Sequence, residues 1–189
     1  MDWRHRKHRR RNCNEPGHAH ALTFTCYQRF QFLAAERTCE WLANAIDKAR
    51  VQFDFAVWAF AFMPEHVHMV IFPRQKFYDI ADIRKAIKEP VGRQAIGYLA
   101  EHAPDWLTKV TRQRGRRTER LFWQSGGGFD ENIEEPKVLR EVIDYIHLNP
   151  VRRALVERAR DWKWSSAGWF EGTASCLLIP DKIPPEWCI

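Results

Sequence analysis

Two spacings of apolar residues run along this chain, and they divide it into strands and helices before any chemistry is considered. From Ala21 to Tyr27, Leu22, Phe24 and Cys26 alternate with Thr23, Thr25 and Tyr27, the period of a half-buried strand. From Ala35 to Phe53, Trp41, Leu42, Ala45, Ile46 and Ala49 recur at helical spacing. Glu36 and Glu40 sit early in that segment and Lys48 and Arg50 late, which matches the helix dipole. Phe55 to Phe62 and Val67 to Phe72 are rich in Val and aromatic residues. Met63-Pro64-Glu65 between them has the length of a hairpin connection, so the two runs are expected to pair antiparallel. Asp79 to Glu101 reads as a second helical region, interrupted near Pro90 and Gly92, with a basic outer face carrying Arg84, Lys85, Lys88 and Arg93. Glu135-Pro136 opens another helix, in which Val138, Leu139, Val142, Ile143 and Ile146 form the buried stripe and Pro150 is expected to end it.

The segments between are polar, and their charge changes the picture. Lys109, Arg112, Arg114, Arg116, Arg117 and Arg120 surround Gly115, which reads as a flexible loop beside nucleic acid. Phe122-Trp123-Gln124 is an aromatic anchor, and Gly126-Gly127-Gly128 a hinge-like turn; without a following Gly-Lys-Ser/Thr these glycines do not make a nucleotide-binding P-loop. Residues 1–17 read as a basic flexible tail, with Arg4, Arg6, Lys7, Arg9, Arg10 and Arg11 serving either solubility or phosphate contact. Residues 171–189 read as a wrapping segment over part of the sheet.

At 189 residues one domain is expected, and nine Trp with twelve Phe make its core aromatic. A net charge of +6 and a pI near 9.2 favour a polyanionic partner, nucleic acid ahead of an anionic membrane. No apolar run approaches the roughly 20 residues of a spanning helix, and no signal segment follows the basic start, so a cytoplasmic or nucleoid-associated protein is expected. Five scattered Cys without a C-x-x-C pair indicate neither a disulfide framework nor structural zinc.

The chemistry lies in two places. Alternate strand residues share a face, so His66 and His68 project together as half of a divalent metal site. Taken alone, such a pair more often marks surface or core histidines. His18 and His20 repeat the spacing and are expected to be structural or solvent-facing. On the later helix, Tyr145 and Asn149 stand one turn apart on nearly the same face. Tyr145 also fits an amphipathic core position, and Asn149 a C-terminal cap before Pro150. Together the four residues suit metal-assisted cleavage of a nucleic-acid phosphodiester. Glu65 is a candidate support for a ligand or a metal-bound water. His147 points roughly opposite Tyr145 and suits packing or DNA contact. Trp123, Phe122 and Tyr27 fit either base stacking or an aromatic core. Arg116, Arg117, Arg152 and Arg153 are the better candidates for phosphate contact.

Met63-Pro64-Glu65-His66-Val67-His68, followed far downstream by Asp144-Tyr145-Ile146-His147-Leu148-Asn149-Pro150-Val151-Arg152, resembles the signature of the single-tyrosine HUH transposases, specifically the REP-associated tyrosine transposases. Trp123-Gln124 and Trp164-Ser165-Ser166 fall where that family has similar words, so the resemblance spans residues 18–170, the expected catalytic domain. It implies an α+β fold, an antiparallel sheet with helices packed on it, ferredoxin-like in plan. It also implies His66, His68 and Asn149 as metal ligands, Tyr145 as the nucleophile on a DNA phosphate, and a covalent 5′-phosphotyrosine with release of a 3′-OH. Imidazole plus amide oxygen leaves positions for water and phosphate, which suits Mg²⁺ or Mn²⁺. A free phenol, with a pKa of about 10, needs a base or cation to act as a nucleophile at neutral pH. The implied partner is single-stranded or hairpin DNA, from repeat-derived palindromes, and either a monomer or a homodimer is compatible. Two other readings stay open: a noncatalytic module that binds single-stranded nucleic acid on a similar sheet, and a metal-dependent hydrolase that uses water.

Overall fold

A computed structural model describes residues 14–173 and 176–188; the six tail cations from Arg4 to Arg11 lie outside the described residues. The elements in order are β1 (Ala19–Thr25), α1 (Glu36–Phe53), β2 (Phe55–Met63), β3 (His66–Pro73), α2 (Ile80–His102), α3 (Asp105–Val110), β4 (Thr111–Arg114), β5 (Arg117–Arg120), β6 (Phe129–Ile133) and α4 (Pro136–Arg152). Four strands make an antiparallel sheet in the order β2-β3-β1-β6, while β4 and β5 form a separate two-stranded ribbon. The molecule is therefore α+β, with helices packed on both faces of the sheet.

Strand alternation decides which helix covers which face. Leu22, Phe24, Val67, Met69 and Ile71 share one apolar layer with Leu42 and Ile46 of α1 and with Ile80, Ile83, Ile87 and Val91 of α2. The opposite layer is built from small residues, Ala19, Ala21, Ala56, Ala59 and Ala61 with Val70, and α4 lies on it through Leu139, Val142, Ile143 and Ile146. Alanines on the sheet let this helix approach closely. A bulge between Val57 and Ala59 turns both Trp58 and Ala59 to the α4 layer.

The outer edge of β2 is closed by the C-terminal chain. Phe62 N–H donates to Trp164 O at 2.8 Å and Ser166 N–H to Phe60 O at 3.0 Å. At the bulge, Asp181 N–H donates to Val57 O at 2.7 Å while its carboxylate accepts from Val57 N–H at 2.9 Å. Trp187 packs on Trp58 and Phe72. These contacts give the edge strand partners that would otherwise be open to another chain.

Several sequence expectations change. Pro90 does not interrupt α2: the stripe Ile83, Ile87, Val91 continues past it with Pro90 exposed, so burial outweighs one lost backbone hydrogen bond. Pro150 does not end α4, which runs to Arg152 and turns off where Ala154 takes a left-handed φ of 53°. The segment read as a flexible loop is α3 followed by the β4–β5 ribbon. Within the stretch read as a free tail, residues 14–17 are held, since Ile80 N–H donates to Asn14 Oδ1 at 3.2 Å and Tyr78 O–H to Glu15 O at 2.9 Å. The glycine turn is not a loose hinge: a Cβ on Gly128, whose φ is 77°, would lie 2.2 Å from Thr23 O, and one on Gly127 would lie 2.9 Å from the Arg84 guanidinium. Among the described residues no helix is long and apolar enough to cross a membrane.

Two outcomes follow from this packing. Gly128→Ala costs about 3 kcal/mol or more, because strain adds to a backbone clash, whereas Gly97→Ala in open space on α2 gains up to about 1 kcal/mol; urea unfolding of the two variants compares them. Burial pushes the Cys26 and Cys39 thiols up to about 12, so at pH 8 almost none of either is the reactive thiolate. Alkylation followed by mass spectrometry finds the exposed Cys188 labelled in the folded protein and these two only after unfolding; early labelling of either contradicts the core assignment.

Candidate active site

The register sets the site. Thr25 pairs with His66 and Thr23 with His68, so both imidazoles stand on the face of the sheet covered by α4. Both are buried. Their Nε2 atoms are 2.9 Å apart with the rings nearly perpendicular, at 89°. Two imidazoles bound to one cation at right angles, with metal–nitrogen bonds of about 2.1 Å, would put those nitrogens about 3.0 Å apart.

What stands behind each ring decides its tautomer. His66 Nδ1 is 3.2 Å from Glu65 Oε1, and His68 Nδ1 is 2.8 Å from Thr23 Oγ1. The His66–Glu65 contact is an ion-pair distance without the alignment of a hydrogen bond; the carboxylate's charge still favours a proton on His66 Nδ1, which leaves the Nε2 lone pair toward His68. Thr23 can donate or accept. In one state His68 carries its proton on Nε2 and donates it to His66; in the other both Nε2 lone pairs converge, an arrangement that a cation between them stabilises. Burial pushes the His66 pKa down, against the raising effect of Glu65, and so favours the neutral ring that a metal needs.

Glu65 is itself buried. Its Oε1 accepts from Arg153 Nη1 at 2.9 Å and from Arg29 Nη2 at 3.4 Å, while Oε2 has no hydrogen-bond partner among the described residues. Burial raises its pKa, but the Arg153 hydrogen bond and the charges of His66 and Arg153 outweigh that and hold it below the usual carboxylate range. Arg153 follows α4 directly, so this ion pair ties the helix of Tyr145 to the strands of the imidazoles. Arg29 reaches Glu65 from a turn in which Gln28 and Arg29 both take left-handed φ, 52° and 58°.

The Tyr145 ring meets His68 edge to face, with centroids 5.9 Å apart, and the Arg152 guanidinium lies 4.9 Å from the Tyr145 centroid. One turn on, the Asn149 amide nitrogen donates to Tyr145 O at 2.8 Å, which leaves Oδ1 as its acceptor end. Among the described residues no third His, Cys, Asp or Glu joins the pair in a metal-binding group. The Asn149 amide oxygen is a donor type outside that group. The donor set fits a hard divalent cation that keeps several waters.

No family model matches the chain. Over 148 residues it is 27% identical to a curated protein of Haemophilus influenzae named "Putative REP-associated tyrosine transposase", covering 72% of this chain and 77% of that one. A solved structure of a REP-associated tyrosine transposase bound to a REP hairpin aligns with a TM-score of 0.67 at 20% identity, covering 94% of this chain and 93% of that one. In sequence and in fold this chain is similar to REP-associated tyrosine transposases. The fold is theirs: an antiparallel sheet with packed helices.

The other predicted site residues divide. Trp123 is not placed to stack on a base; it is buried in the core, edge-on to Phe24 and Phe122, with its indole N–H donating to Lys88 O at 2.9 Å. Phe122 and Tyr27 are buried as well. Arg152 and Arg153 flank the site, whereas Arg116 and Arg117 lie on the separate ribbon. His147 packs inward, its Nε2 2.8 Å from Ser166 Oγ, and burial lowers its pKa to about 4. His20 is structural, held between Asp130 Oδ1 at 2.8 Å and Tyr78 OH at 2.7 Å in the layer of α2. Thr23 and Arg29 are invisible to sequence reasoning, because their roles arise from pairing across 45 and 36 residues.

If the Glu65–Arg153 pair anchors α4, a double-mutant cycle of Glu65→Ala and Arg153→Ala, read by urea unfolding, returns a coupling of about 1–2 kcal/mol. Simple additivity would show that the helix docks without it.

Proposed function

We propose that the protein is a metal-dependent endonuclease and strand transferase acting on single-stranded or hairpin DNA, with Tyr145 as nucleophile. The observation that carries this reading is the edge contact of the Tyr145 ring with His68, which sets a phenol against one of two paired imidazoles on one side of the sheet. The resemblance of both long motifs to the REP-associated tyrosine transposases, and the hairpin bound to the solved relative, favour repeat-derived palindromic DNA as substrate.

In this reading His66, His68 and Asn149 hold Mg²⁺ or Mn²⁺. When bound, the cation neutralises charge on the scissile phosphate and favours departure of the 3′ oxygen. Glu65 and Thr23 keep the two rings turned toward it from their Nδ1 sides. The Tyr145 hydroxyl oxygen attacks phosphorus and loses its proton as the bond to the 3′ oxygen breaks and that oxygen gains one. The 5′ side stays on the protein as a phosphotyrosine diester. Because a diester is kept, a later 3′-OH reverses the attack and joins strands without ATP. Arg152, above the Tyr145 ring, suits a phosphate near the reacting oxygen, and Arg116, Arg117 and Arg153 suit phosphates further along the strand.

The test is incubation of a hairpin oligonucleotide with Mn²⁺ and the protein, read as an adduct that survives denaturation. Wild type gives the adduct. Tyr145→Phe, which keeps the ring contacts with His68 and Arg152, gives none, and His68→Ala loses most of it. Cleavage that survives Tyr145→Phe would make the protein a hydrolase that uses water, and tight binding with no cleavage would make it a noncatalytic binding module.

A further inference from the structure

The ribbon of β4 and β5 has no apolar residue from Thr111 to Arg120, and it belongs to neither face of the main sheet. It has no core of its own, and a lone two-stranded ribbon is marginal in water. Polar cross-links stiffen it instead. Arg112 Nε and Nη2 donate to Glu119 Oε2 at 3.2 and 2.6 Å, Thr118 Oγ1 donates to Gln113 Oε1 at 2.8 Å, and Gln113 Nε2 donates to Gly115 O at 3.3 Å. Gly115, at φ 59°, begins the two-residue turn. By the register, Arg112, Arg114, Arg117 and Glu119 share one face, with Arg116 at the tip. Glu119 is the one carboxylate on the ribbon, and the Arg112 hydrogen bond, together with the charges of Arg112, Arg114 and Arg117, holds it below the usual carboxylate range.

We infer that this ribbon is a groove-reading arm that enters the major groove of the paired stem of a DNA hairpin. The inference rests on the proposed function for its ligand, a DNA hairpin. Two strands about 4.8 Å apart fit with their side chains in a major groove about 12 Å wide, and Arg and Gln are the side chains that bond guanine and adenine edges there. The major groove of an RNA stem is too narrow and deep for side chains to read, so the geometry selects DNA.

The test compares binding of three probes, a DNA hairpin, an unpaired strand of the same composition and the RNA hairpin of the same sequence, to wild type and to Arg114→Ala/Arg117→Ala. The variant binds the DNA hairpin at least about tenfold more weakly, because its base-edge contacts are lost. Its preference for the hairpin over the unpaired strand falls at least about tenfold, and wild type binds the RNA hairpin more weakly than the DNA one. A hairpin with 7-deazaguanine in the stem lacks the N7 acceptor and binds wild type at least about fivefold more weakly, a result that variant misfolding cannot imitate. Equal loss on paired and unpaired DNA, equal binding of the RNA hairpin, or full affinity for the deaza stem would overturn the arm. Its failure is separable from that of the transferase: a protein that shows these stem effects yet forms no Tyr145 adduct keeps the arm and loses the catalytic reading.

Discussion

The docking of α4 on the alanine-rich face of the sheet is the constraint on which the rest depends. Ala19, Ala21, Ala59 and Ala61 bring the helix close, and the stripe from Leu139 to Ile146 fixes its rotation, so the half-buried Tyr145 ring meets His68. Glu65 reinforces this from one end, since its single oxygen Oε1 serves both Arg153, just past α4, and His66 on β3. Phenol and imidazoles are held by separate elements that share one ion pair. A shift of the helix would therefore disturb both at once.

Charge is arranged to match. The two imidazoles are buried, burial favours the neutral ring of His66, and positive charge stands around them in Arg29, Arg152 and Arg153, which suits an anion approaching from outside. The net charge of +6 is not spread evenly: the ribbon from Thr111 to Arg120 holds five arginines against one glutamate. In the proposed reading, site and ribbon divide the work that a polyanion asks of a protein, chemistry at one place and grip at another.

Much of this is legible in the sequence. The hairpin bearing His66 and His68 and the helix bearing Tyr145 and Asn149 both carry long, clean periodicities, and local pattern survives folding in such segments. What stays hidden depends on distant partners. Phe129–Ile133, mostly polar, becomes a strand only because β1 offers an edge to it. Thr23 supports His68 only once the register of β1 against β3 is known. Trp123 cannot be assigned to core or surface until α2 is placed over it. The ribbon does carry a signal, Gly115 at the first position of a two-residue turn, but the lack of any apolar residue around it obscures the strands on either side. Pro90 and Pro150 show that one lost backbone bond yields to a well-buried stripe.

The central claim is that a cation belongs between the two Nε2 atoms, within reach of the helix of Tyr145. Pulsed electron paramagnetic resonance of the protein with one equivalent of Mn²⁺ tests it without any DNA or turnover. The account predicts one bound ion with nitrogen couplings from two imidazoles, reduced to one coupling in His66→Ala or His68→Ala. Manganese that remains free at millimolar protein, or that binds with no imidazole nitrogen in its coordination shell, would contradict it.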